Sequence, residues 1–393
     1  MYPEPPADPG AGSSHAGKGI FVVDAQVHAW DGRPHNQRCP AGEAYAAALL
    51  RRHAELTPSA VDPAEVEQVT EHSLRRDVFD AGHISLAVLQ PVVLSELFVL
   101  GFCPLAWHAE IAGRLPGRCL LSEELDPDRG PPGAHGIAAR LRRWDLRGFT
   151  LCASRRPGAR MDLSQRWLRR ALARGAHAGA GVVHLGVGPS ALPAPWRWDV
   201  APHSSGPRLP SWAEPVRSGS ALPVRTRVVQ WVPSPGFDVA QFRELALTLP
   251  QIRFVLGARC LPGVQLCRLA RLPNVHVLLT DLLADLLHAT TSSDFARAFG
   301  ELLLAFGPDR LLFGSGYPLV QPGRLVEKLM GYRFPTEMRD RYPPLDAEAR
   351  RAMLGGNAAR LYQIPPPPGR PAGDLTGLRP SPSTAAHHLG DAS

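Results

Sequence analysis

Eight short runs rich in apolar and β-branched residues recur along this chain, and helical stretches separate most of them. They read "IFVVDAQVHAW" (20–30), "HISLAVLQPVV" (83–93), "RCLLSEEL" (118–125), "LRGFTLC" (146–152), "AGVVHLGVG" (180–188), "QIRFVLGA" (251–258), "NVHVLLT" (274–280) and "RLLFGSG" (310–316). Segments such as "SQRWLRRALARGA" and "VAQFRELALTL" precede them with apolar residues at helical spacing. Parallel strands need crossovers of a dozen residues or more, and a helix is the usual one. Eight alternations of this kind predict an α/β fold, a closed (β/α)8 TIM barrel.

Residues 1–18 and 365–393 are rich in Pro, Gly and Ser, and "IPPPPGRP" marks the second boundary. Both read as disordered tails around one barrel domain over 19–364. Residues 189–225 break the regular count; they are rich in Pro, Ser and Trp, with Trp196, Trp198 and Trp212. They read as a loop insertion after the fifth strand, at the end where such barrels build their active-site mouth. A lid or substrate wall and a packed surface excursion are equally good readings of it.

Composition narrows the partners. With 44% hydrophobic and 20% charged residues the chain can bury a substantial core. The net charge of +7 is almost wholly arginine, since Lys18 and Lys328 are the lysines. An excess of Arg, Ala, Gly and Pro reads as the signature of a GC-rich bacterial genome. No window gathers basic and aromatic side chains, so no nucleic-acid partner is expected. The cysteines are scattered without a C-x-x-C pair, which fits a reducing cytoplasm and no structural zinc. The N-terminal stretch lacks the apolar centre of a signal peptide. The longest apolar run, 84–102, is broken by Pro91 and carries Glu96, so it reads as strand, loop and helix rather than a membrane span. A small molecule is the expected partner, with a homodimer left open.

The chemistry lies in "VVDAQVHAW". Strand alternation would put Asp24, Gln26 and His28 on one face and Ala25 and Val27 on the other. Three polar groups on one inner face either bond to one another or line a cavity.

Further motifs accompany this one. "GPDRLLFGSGY" spans 307–317, "NAARLYQI" spans 357–364, and "FVLGARCLP" precedes "LPNVHV" in the middle of the chain. Together and in this order they resemble the amidohydrolase-related, metal-dependent hydrolase family, whose relatives include aminocarboxymuconate-semialdehyde decarboxylase. The resemblance runs from about residue 20 to 364. It implies a barrel that holds a divalent metal, usually zinc, through histidines on the first, fifth and sixth strands, with an aspartate on the eighth. Such a centre polarises a carbonyl or lowers the pKa of bound water.

Carried over position by position, this pattern is depleted here. The first D-x-H-x-H histidine is Gln26 and the second is His28. The fifth-strand histidine matches His184. The sixth-strand histidine falls on Ala258, with Gly257 at a preceding acidic position, and the eighth-strand aspartate is Gly316. A catalytic zinc normally has three protein ligands and water. His28 and His184 would be two, and Asp24 or Cys260 could be a third only in a different geometry. The expectation is therefore no cofactor, with zinc or another divalent metal at His28 and His184 as the alternative. The implied function is an enzyme acting on a small carboxylated or cyclic compound by decarboxylation, lactone or C–N hydrolysis, or rearrangement without the usual metal. His28 and His184 would be its acid–base pair, and Gln26, Arg259 and Trp30 its substrate contacts. The alternative is a catalytically inactive barrel that binds a ligand or partner. On this reading Gly316 leaves a void for a larger substrate group. Asp281 and Asp285, just beyond the seventh strand, read as helix-start residues, with replacement of the lost carboxylate as the alternative, and His276 reads as packing.

Overall fold

The computed structural model describes residues 20–57, 63–127, 130, 136–151, 161–185, 237–287 and 293–364. All eight expected strands are present: β1 (Val23–Val27), β2 (Leu86–Leu89), β3 (Cys119–Leu125), β4 (Leu146–Leu151), β5 (Val182–Leu185), β6 (Arg253–Gly257), β7 (Val275–Leu278) and β8 (Leu311–Leu312). They pair in parallel in the order β1 to β8. Helices follow each strand, among them Pro40–Leu56 after β1, Arg166–His177 after β4, Val239–Thr248 after β5 and Ser293–Phe306 after β7. This is a TIM barrel. The insertion expected at 189–225 lies outside the described residues, as do both tails.

The barrel closes through backbone bonds between β1 and the segment that follows β8. Ala25 N–H donates to Phe313 O at 3.0 Å, Gly316 N–H to Gln26 O at 2.9 Å and His28 N–H to Tyr317 O at 2.9 Å. These contacts place "DAQVH" and "FGSGY" side by side, so two motifs nearly 300 residues apart form one seam.

Alternate residues of each strand face in and out, and two apolar clusters record it. Val23, Ala25, Val88, Val182, Val255, Leu278 and Leu312 meet inside the barrel with Ala358, Leu361 and Tyr362. Their neighbours in the strands, such as Val22, Leu89, Phe149, Val183 and Phe254, pack outward against the helices. The helix Asn357–Tyr362 therefore closes the barrel at the end where β1 begins, beside Phe21. Asn357 fixes it there by donating to the carbonyls of Pro308 (2.7 Å) and Leu311 (2.6 Å). Arg310 donates to the carbonyls of Phe306, Ala270 and Leu272. The two most recognisable motifs, "GPDRLL" and "NAARLY", thus hold one another and the floor of the barrel together.

The apolar run at 84–102 divides as expected into β2 and a loop, and the next helix, Leu105–Arg114, follows it. Val92 pairs with Cys103 across that loop. No helix among the described residues is long and apolar enough to cross a membrane. Cys39, Cys103, Cys119, Cys260 and Cys267 are free thiols.

Candidate functional site

β1 does not alternate as simply as its sequence suggests. Its register against β2 shifts between Asp24 and Val27. Val23 and Ala25 face the interior, and Asp24 does not join Gln26 and His28. The cause is the Asp24 carboxylate. Its Oδ1 accepts from the backbone N–H of Gln26 (3.1 Å) and of Ser315 (2.9 Å), drawing β1 onto the β8 segment. Asp24 is completely buried, and its Oδ2 has no partner. Burial pushes its pKa up to about 6 against the lowering effect of those hydrogen bonds.

Gln26 and His28 do meet. His28 Nδ1 lies 2.9 Å from the carbonyl of Gln90, which can only accept, so the proton sits on Nδ1. Its Nε2 then carries a lone pair, and Gln26 Nε2 donates to it at 3.1 Å. Burial lowers the His28 pKa to about 4, so the ring is neutral near pH 7. Both of its nitrogens are engaged within the protein.

His184 stands elsewhere in the interior. It pairs in register with Thr150 of β4 and Val255 of β6. Its Nε2 is hydrogen-bonded to the hydroxyl of Tyr362 at 2.5 Å, and the two rings stack. Its Nδ1 has no partner, and burial lowers its pKa to about 3. The backbone of Gln90 takes the His28 bond, its amide donates to Ala25 O, and its Oε1 accepts from the Thr150 hydroxyl. Its side chain also lowers the Tyr362 pKa against the raising effect of burial. His28 is bonded to Gln90 and His184 to Tyr362, with no direct bond between the two histidines.

The backbone at the expected carboxylate position disfavours a side chain. Gly316 has φ of +69°, in the left-handed region, and a Cβ there would lie 2.9 Å from Cγ2 of Thr280. At Gly314 a Cβ would meet Thr280 Oγ1, Leu278 Cδ1 and Gln26 Cβ. Thr280, in the turn after β7, fills the space beside both glycines. Beside the expected void at Gly316, the first residue of the helix after β7 places its methyl.

Two other expected contacts make bonds within the protein. Trp30 is 2% exposed, donates from Nε1 to Val66 O and stacks on Phe102 at 5.2 Å. It belongs to an aromatic cluster with Tyr45, Phe98 and Phe102. Arg259 forms an ion pair with Asp285. Asp281 lies in the first turn of the helix Thr280–Leu283, and burial raises its pKa to about 6 despite Arg259 and Arg52. His276 is buried near the start of β7, as its packing role requires.

The donors at these positions do not fit the family's zinc. The lone pair of His28 is directed at an amide N–H, and His184 Nε2 is bonded to a phenol. Ala258 and Gly316 offer no donor atoms. No three His, Cys, Asp or Glu side chains among the described residues are grouped to hold a metal ion.

Gln90, Thr150, Thr280 and Tyr362 were not singled out by sequence reasoning. Gln90 carried one usable signal, a polar residue ending an apolar strand just before Pro91. His108, fully buried with Nε2 3.2 Å from Ala29 O, carried none.

Residues 182–364 match the sequence model of the amidohydrolase family. Similar solved structures include an amidohydrolase of Burkholderia multivorans with bound HEPES, at 16% identity and TM-score 0.53, covering 88% of this chain and 100% of that one. A zinc-bound structure of a Burkholderia multivorans amidohydrolase has 17% identity, TM-score 0.50 and the same coverage. An uncharacterised TIM-barrel protein of Bordetella bronchiseptica has 16% identity and TM-score 0.51, covering 88% of this chain and 99% of that one. At these identities the likeness shows the fold. No curated protein matches the chain. From β5 to the closing helix the chain thus carries the sequence pattern of the amidohydrolase family, and across the barrel it shares the fold of the amidohydrolase structures.

Proposed function

We propose that this barrel binds a small compound and does not carry out the metal-dependent reaction of the amidohydrolase family. One observation carries the reading: the groups that would run that reaction are bonded to, or replaced by, the protein's own side chains. Gln26 takes the lone pair of His28, and Thr280 stands beside the glycine at the base position. A neutral histidine with a pKa near 4 is also a weak base for water or substrate. A cytoplasmic bacterial protein with a small-molecule ligand is the setting this reading adopts.

The test is turnover against binding. The protein, with and without added zinc or manganese, is offered aryl esters, lactones, anilides and hydroxybenzoates, and product is measured by liquid chromatography. No metal-stimulated turnover above the background of His28→Ala is expected. Metal-stimulated turnover lost in His28→Ala would overturn the reading.

A second reading has its own observation. Asp24 Oδ2, His184 Nδ1 and Thr280 Oγ1 are buried without partners, a polarity that a wholly inert core would not retain. It favours metal-free turnover of a small carboxylated or cyclic compound, which the same assay detects as activity unaffected by chelators.

A further inference from the structure

The segment joining β7 to its helix places Thr280 at the C-terminal end of the strands, where barrels of this fold bind their ligands. Thr280 is 7% exposed, and its hydroxyl has no hydrogen-bond partner. A valine would fill the same shape without burying an unsatisfied hydroxyl. The protein keeps the hydroxyl where two glycines, Gly314 and Gly316, bare the backbone next to it.

The neighbouring groups are mostly acceptors. The side-chain hydrogen bond of Gln26 runs through its nitrogen to His28, leaving its carbonyl oxygen to accept. Asp281 follows Thr280 directly, and Asp24 lies behind Gln26 with its Oδ1 on the Gln26 N–H. Of the guanidinium groups that act on Asp281, Arg259 is paired with Asp285 and Arg52 with Glu55. A ligand carboxylate would enter a region already flanked by carboxylates. A neutral or cationic group that donates N–H or O–H would be complementary to it.

We infer that Thr280 Oγ1 and the Gln26 carbonyl form a ligand subsite at the β1–β8 seam for a hydrogen-bond-donating group, an amide, amine or hydroxyl. This rests on the binding reading and names the ligand chemistry of that same site. Thr280 would select for it: its hydroxyl meets the ligand, and its methyl occupies the space beside Gly316.

Acetamide and acetate, equal in size and opposite in hydrogen-bonding character, test it. Their binding to the full chain is measured by protein-observed NMR titration with wild type, Thr280→Val and Thr280→Ser. For four heavy atoms an affinity in the millimolar range is the expected scale. Acetamide should bind wild type and Thr280→Ser, and bind Thr280→Val at least tenfold more weakly, while acetate leaves the spectra unchanged. Thr280→Val should melt at or above the wild-type temperature, which shows that it folds. Equal acetamide binding in Thr280→Val, binding of acetate as tight as that of acetamide, or no acetamide binding to wild type would each overturn the inference. Turnover in the assay above would overturn the non-catalytic reading while leaving these titrations unaffected.

Discussion

Cγ2 of Thr280 lies 2.9 Å from where a Cβ on Gly316 would stand, and Gly316 N–H donates to Gln26 O at 2.9 Å. The β7 turn and the β8 segment are therefore fitted to a residue without a side chain at 316. Gly316→Ala should cost about 2–3 kcal/mol, combining a left-handed backbone with the contact to Thr280. Thr280→Ser, which deletes the methyl, should relieve part of that cost. Urea unfolding of the single and double variants measures it, and additive effects would show that the two residues do not share this space.

His28 ties β1 to β2 and holds Gln26. His28→Ala would leave the Gln90 carbonyl and the Gln26 amide without partners in a fully buried cavity. A loss of about 2–4 kcal/mol is expected, measured as a fall in the denaturant midpoint. A variant as stable as wild type would mean that these bonds contribute nothing net.

Tyr362 reaches from the closing helix to His184. Tyr362→Phe keeps the ring and removes the hydroxyl, leaving His184 Nε2, like Nδ1, without a partner. A loss of about 1–3 kcal/mol is expected, and His184→Leu in the same background should recover part of it. A neutral Tyr362→Phe would argue that the bond is weak.

Stability should rise as pH increases from about 4 to 6.5. Burial lowers the pKa values of His28 and His276 to about 4 and of His108 and His184 to about 3, and that of His53 falls too. In that window the unfolded chain binds more protons at these histidines, so folding gains as pH rises. Asp24 and Asp281, raised to about 6, and Glu123, also raised, act oppositely because the folded state holds their protons longer. Five histidines outweigh three acids. Asp24→Asn keeps an acceptor for Gln26 and Ser315, and it should steepen the rise by removing one opposing group. Urea midpoints across pH check both signs.

The barrel was legible because strand and helix periodicities alternate eight times, and because Asn357 and Arg310 sit in motifs that join the floor of the fold. The departures from the resembled pattern at Gln26, Ala258 and Gly316 could be read residue by residue. What replaced them could not. Thr280 meets Gly316 only through the pairing of β7 with β8, and Tyr362 meets His184 across 178 positions. Alternation failed at Asp24 because its carboxylate bonds the backbone and shifts the register of β1. Trp30 carried no sequence sign that its indole N–H turns to Val66 and its ring to Phe102.

The central claim is that the family's metal centre has been closed by the protein's own hydrogen bonds. Elemental mass spectrometry tests it most directly, on wild type and His28→Ala purified without chelators or metal-affinity steps and then equilibrated with zinc and desalted. The account predicts zinc well below one per chain in both proteins. Near-stoichiometric zinc in wild type, lost in His28→Ala, would contradict it.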